Sequence, residues 1–155
     1  MKVIPLNKKV LESRLSEIRV NLEKLENLGK MTLENFLENE NFAIAEHYLR
    51  RALEAIFEIG NHILSRLPIP PGERPSTYKE IAIVLGKYKV LPPEFAQGVL
   101  YQMAGYRTRL VHFYHEITKE ELYGILQKDL KDIEVFCKFI NKIIKDPKSL
   151  NLEIK

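Results

Sequence analysis

Leu11, Leu15, Ile18, Leu22 and Leu25 recur at spacings of four, three, four and three, which is the repeat of one face of an amphipathic α-helix. The spacing predicts a helix from about Asn7 to Leu28. Thr32 then starts a short turn of helix or a loop through "MTLENFLENE". In the segment 42–67, Ala45, Leu49, Ala52, Ile56, Ile59, Ile63 and Leu67 form one stripe, and Tyr48, Leu53, Phe57 and Leu64 widen it. A helix apolar over so much of its circumference is predicted to be central, flanked on several sides. Four of the eight prolines fall in "PIPPGERP", which stops that helix near Leu67 and forces an extended connection. Thr77 and Glu80 have the spacing of a capping box ahead of a short helix, "YKEIAIVLGKY". Pro93 suits the first turn of the next helix, predicted to run through "AQGVLYQMAGYRTRLVHFY". Thr118 and Glu121 offer a second capping box before a final long helix through Leu122, Leu126, Leu130, Ile133, Phe136, Ile140 and Ile143, which Pro147 ends. No alternating β pattern or internal repeat competes, although "IAIVL" alone would pass for a strand. The expected fold is all-α: an antiparallel four-helix bundle with one or two additional short helices.

A chain of 155 residues with 45% hydrophobic and 29% charged residues has the length and composition of one globular domain. Its formal net charge of +3, from 24 basic and 21 acidic residues, is too small for charge alone to imply nucleic acid; such a partner needs a local basic patch. The single cysteine, Cys137, sits on a helical apolar stripe and builds no disulfide framework. No stretch approaches the roughly 18 apolar residues of a membrane span. The expectation is a cytoplasmic protein.

The densest concentration of chemistry is "GYRTRLVHFYHE", residues 105–116, with two arginines, two histidines and two tyrosines in twelve positions. At about 100° per residue, Arg107 and Tyr114 project from nearly the same helical face, whereas His112 lies roughly 140° from Arg107. The two could meet on one ligand only where the helix bends or ends, or where two chains contribute. A guanidinium forks onto phosphate oxygens, an imidazole moves protons near neutral pH and a phenol donates or accepts a hydrogen bond. Those are the parts of a metal-independent ribonuclease. The same residues also suit a solvated helix C-terminus, where arginine and histidine complement the dipole.

This stretch closely resembles the Arg-x4-His-x-Tyr signature of the HepT-like proteins of the HEPN superfamily, with Arg107, His112 and Tyr114 at the matching positions. "LRRALEAIFEIGNHIL" is similar to the family's central helix, and the resemblance spans roughly residues 8–145, so that 1–155 is expected to be a single HEPN-like domain. The resemblance implies the toxin of a toxin-antitoxin module: an RNA-cleaving homodimer in which Arg107 anchors phosphate and His112 acts as general base or acid. It also implies a minimal nucleotidyltransferase antitoxin that silences the toxin by transferring AMP to Tyr114. ATP and magnesium would belong to that partner, since this chain lacks its Gly-Ser and Asp-x-Asp elements, and no cofactor is expected here. Family members often carry Asn after the arginine; Thr108 stands there as a supporting polar group. A second frame, Arg109 with His115, fits the looser superfamily pattern but loses the tyrosine. The competing reading is a non-catalytic helical subunit that binds substrate or acts as a scaffold in a nucleotidyltransferase complex.

Arg50 and Arg51, with Arg109, are candidate RNA contacts, because phosphate contacts supply sequence-independent affinity. Pairing of Arg50 with Glu46 and Glu54 at i,i+4 is the alternative, and Glu54 is a candidate to orient Arg107. Metal sites are not expected: Glu58 and His62 miss the Glu-x-x-His spacing by one residue, and His112 with His115 lacks a third ligand. His47 and His62 fit the surface or the core edge. Phe42, Tyr48, Phe57, Phe95 and Phe136 fall on apolar stripes as core; Tyr101 and Tyr106 suit helix packing or base stacking.

Overall fold

The computed structural model describes residues 4–155 and is all-α. Helix α1 (Lys8–Gly29) begins at Asn7, whose side chain accepts from the Val10 amide. A single turn, α2 (Leu33–Phe36), follows its Thr32 cap. Helix α3 (Asn41–Leu64) carries the buried stripe predicted for the central helix. It runs antiparallel to α1, with Arg14 paired to Glu58 and Arg51 to Glu17 across the groove. After α3 the proline-rich segment is extended apart from a 3-10 turn at Pro71–Glu73. There the Arg74 guanidinium donates to the carbonyls of Leu64 and Leu67, satisfying acceptors that the end of α3 leaves open.

Helix α4 (Tyr78–Lys87) opens with the Thr77–Glu80 capping box, both halves of which form. It lies so close to α3 that a Cβ added at Gly60 would stand 2.9 Å from a Leu85 methyl and 3.2 Å from an Ile81 methyl. The following helix differs from expectation in two ways. Its first part, Phe95–Leu100, is wound as a π-helix, and α5 (Tyr101–His112) stops two residues before Tyr114. Phe113 breaks the helix (φ −132°, ψ 34°), and Tyr114–Glu116 form a separate 3-10 turn.

The expected final helix is two: α6 (Lys119–Lys128) and α7 (Leu130–Lys145), separated at Asp129. The Thr118–Glu121 capping box is half formed. Thr118 accepts from the Glu121 amide at 3.0 Å, but the Glu121 carboxylate turns to Arg109. The chain closes on itself where Leu6 pairs with Ile154 in an isolated parallel bridge. Leu11, Leu15, Ile18, Ile56, Phe57, Phe136 and Ile140 meet in one core, with Cys137 buried among them. Phe42, Tyr48 and Phe95 pack on its edge. No helix among the described residues is long and apolar enough to cross a membrane.

Candidate active site on the fifth helix

Leu110 and Ala104 of α5 face the core, and their positions fix the rotation of the motif helix. Arg107 consequently points inward along the seam between α3 and α4. Its guanidinium carbon lies 4.4 Å from the centre of the Tyr78 ring, and one terminal nitrogen is 3.8 Å from a Glu54 carboxylate oxygen. Tyr78 is itself stacked on Phe57, with ring centroids 5.0 Å apart. The Arg107 side chain is 20% exposed, and its Nε is buried without a hydrogen-bond partner. Held by one long ion pair and one aromatic face, this guanidinium retains unused donors, the condition for receiving an anion.

His112 and Tyr114 lie elsewhere. His112 is the last residue of α5 and is exposed, on the face away from Arg107. Tyr114 is 61% exposed beyond the helix end, beside Phe113 at 46%. Buried Ile117 anchors the far end of this turn, and Thr118 caps the next helix, so the intervening side chains are forced outward. Within one chain the fold therefore does not bring Arg107 and His112 together. Tyr114, predicted to share the Arg107 face, leaves it because the helix has ended.

The other sequence candidates are engaged with neighbours. Arg109 forks onto Glu121 with bonds of 2.9 and 3.0 Å and stands over the Tyr106 ring. Arg50 approaches Glu54 at 3.9 Å, so Glu54 is shared between Arg50 and Arg107, and Arg51 reaches Glu17 on α1 at 2.6 Å. The Thr108 hydroxyl donates to the Ala104 carbonyl of its own helix. Tyr106 turns away from the motif into a cavity of about 150 Å³ between α3, α5 and α7, lined also by Leu49, Met103 and Ile133. Burial pushes its phenol pKa up, and its hydroxyl has no partner. His62 lies on α3, far from the motif in the sequence, and accepts from the Asn7 amide at 3.1 Å. Burial and the Arg66 charge lower its pKa to about 4. Among the described residues no group of histidine, cysteine and carboxylate side chains has the arrangement of a metal site.

Two contributors escaped the sequence reading. Tyr78, the platform under Arg107, and Lys79, whose ammonium lies 5.4 Å from the Tyr101 ring centre, both come from the start of α4. The Thr77 cap that fixes where α4 begins was legible, but not that this end lands on α5.

The family described as "Ribonuclease HepT-like" matches residues 18–140. A protein of Aphanizomenon flos-aquae (strain 2012/KM1/D3) named tRNA nuclease HepT is 30% identical over 136 residues, 87% of this chain and 90% of that protein. Among solved structures, a toxin-antitoxin crystal structure with AMP-PNP superposes with a TM-score of 0.74 at 19% identity, over 87% of this chain and 99% of that one. A tri-AMPylated Shewanella oneidensis HEPN toxin in complex with its MNT antitoxin gives 0.72 at 20% identity, over 86% and 97%. At these identities the two structures establish similarity of fold.

Proposed function

The chain belongs to the HepT-like ribonuclease family, and on that premise we propose that it is a metal-independent RNA endonuclease, the toxin of a toxin-antitoxin pair. Two copies form the active unit, with Arg107 and His112 from different copies meeting at one phosphate. The observation that carries this reading is the division of labour on α5. Arg107 is oriented by Tyr78 and Glu54 on one side of the helix, while His112 stands exposed on the other. A second copy supplies to each group what its own chain does not.

In the reaction, the His112 imidazole takes the proton of a ribose 2′-hydroxyl, and the freed oxygen attacks the adjacent phosphorus. The bond to the 5′-oxygen breaks, that oxygen takes up a proton, and a cyclic phosphate remains. Arg107 stabilises the charge that builds on the non-bridging oxygens. The Aphanizomenon relative is named for tRNA, which makes tRNA the first substrate to test.

Silencing would proceed through Tyr114. A nucleotidyltransferase antitoxin transfers AMP from ATP to its hydroxyl, the phenol oxygen attacking the α-phosphorus and pyrophosphate leaving. The 61% exposure of Tyr114 suits this transfer, and the phosphodiester it creates adds negative charge and bulk that oppose an incoming RNA backbone.

One observation favours the second reading, a non-catalytic subunit of a nucleotidyltransferase complex: Arg50, Arg51 and Arg109 are all occupied by carboxylates, leaving few free cations for RNA. Purified chain, verified by mass spectrometry to be unmodified, is incubated with total tRNA in EDTA. The nuclease reading expects cleavage that His112→Ala and Arg107→Ala each abolish. Intact tRNA would favour the scaffold.

A further inference from the structure

We infer that Lys79 and Tyr101 form a nucleotide subsite beside His112, in which the ammonium takes an RNA phosphate and the phenol ring an adjoining base. The inference rests on the ribonuclease reading and names how its substrate strand is held.

Residues 101, 105, 108 and 112 fall within about 60° of one another on a helix, so Tyr101, Gly105, Thr108 and His112 share one stripe of α5. Tyr101 at one end is 37% exposed, and His112 at the other is exposed. Between them Gly105 presents no side chain, and Lys79 crosses there. A Cβ added at Gly105 would lie 3.4 Å from the Lys79 Cε and 3.9 Å from its Nζ. Any longer side chain would occupy the space of the lysine, so the glycine supplies the room that lets an α4 cation lie on the His112 face.

Lys79 is also the cation here that the fold itself does not use. Arg50, Arg107 and Arg109 each pair with a carboxylate; among the described residues Lys79 pairs with none. As the second residue of α4 it stands against the positive end of the helix dipole, where lysine is disfavoured. Its ammonium lies over the face of the Tyr101 ring, a weak attraction at an exposed site that a phosphate readily outcompetes. From Gly105 to His112 is about 10 Å along the helix axis, a length that a short run of single-stranded backbone covers. A strand placed with its scissile phosphate at His112 therefore meets Lys79 at a flanking phosphate and Tyr101 at a base. Aromatic faces bind bases with little regard to sequence, so this subsite grips the strand without choosing the base.

The test measures binding rather than turnover. Full-length His112→Ala protein is titrated with a fluorescent single-stranded oligoribonucleotide over a range of salt concentrations. Adding Lys79→Gln should weaken binding roughly 3- to 10-fold and reduce the slope of log K against log salt by about 0.7, the share of one single-strand phosphate contact. Tyr101→Leu should weaken binding roughly 5-fold or more with the slope unchanged. Gly105→Leu should reproduce the Lys79→Gln result, Gly105→Ala should bind as the parent does, and Lys9→Gln on the remote α1 serves as control. Unaltered affinity and slope for Lys79→Gln, or no oligonucleotide binding by the parent, would overturn the subsite. Cleavage by the unsubstituted chain, measured alongside, separates the two ideas: cutting with no role for Lys79 keeps the nuclease and removes the subsite, whereas Lys79-dependent binding without cutting does the reverse.

Discussion

The guanidinium of Arg107 rests against the ring of Tyr78, 4.4 Å from carbon to centroid, and this contact, more than the 3.8 Å approach to Glu54, fixes where the cation points. Tyr78 is held in turn by its stack on buried Phe57. Orientation thus passes from the core through two aromatic rings to the charged group. Cation–π contacts of this kind contribute about 0.5 to 2 kcal/mol, and their value at a reacting centre lies in alignment.

Tyr78→Phe should leave RNA cleavage near its starting rate, because the ring face is kept. Tyr78→Leu removes it and should lower cleavage about 10- to 100-fold. Initial rates on tRNA, with thermal melting followed in parallel, distinguish misalignment from unfolding.

His62 makes stability depend on pH. Its pKa in the fold is about 4 against an ordinary 6.5, because partial burial and then the Arg66 charge disfavour the protonated ring, which accepts from the Asn7 amide as a neutral base. Between those values the unfolded chain binds the additional proton, so stability is complete above pH 6.5 and declines as the pH falls towards 4. Discounted for partial exposure, the loss should be about 1 to 2 kcal/mol. Urea titrations at pH 7.5 and pH 4.5 should show it for the parent and a smaller loss for His62→Gln.

Gly60 sits where α3 and α4 touch. Gly60→Val should destabilise by about 2 to 3 kcal/mol, since its branches must displace the buried Leu85 and Ile81 side chains. Gly60→Ala should fall within about 1 kcal/mol of the parent, because the helix propensity gained offsets the crowding. Chemical denaturation midpoints give both values.

Arg109→Gln should cost less than about 1 kcal/mol. The Arg109–Glu121 pair is partly exposed, and its removal frees the Glu121 carboxylate to complete the capping box on the Thr118 amide. Slower hydrogen exchange at that amide in the variant, with little change in the denaturation midpoint, is the expected signature.

Elements whose cause is local were legible in the sequence: the stripes of α1 and α3, the starts near Asn7 and Thr32, the capping box at Thr77, and the proline stop after α3. The break at Asp129 was not, because Leu126, Leu130 and Ile133 carry the apolar stripe across it with neither proline nor glycine to mark it. The π winding of Phe95–Leu100 likewise leaves no residue signature. Of the site, Arg107, His112 and Tyr114 stood in one motif, and Glu54 could be named as a partner for Arg107. Tyr78 and Lys79 could not: some twenty residues separate them from the start of α5, and only the packing of α4 brings them there. The end of α5 at His112 was hidden for the opposite reason, since Phe113 and Tyr114 are ordinary helix residues displaced by the anchoring of Ile117.

The short turn that carries Tyr114 beyond the last ladder bond of α5 has a thermodynamic consequence. On the proposal that Tyr114 carries AMP, the attached group displaces no core side chain, so modified and unmodified protein should share one melting temperature. On that same proposal the silenced protein would be stockpiled inert without being made fragile, and loss of the group would return it to work with no refolding step between.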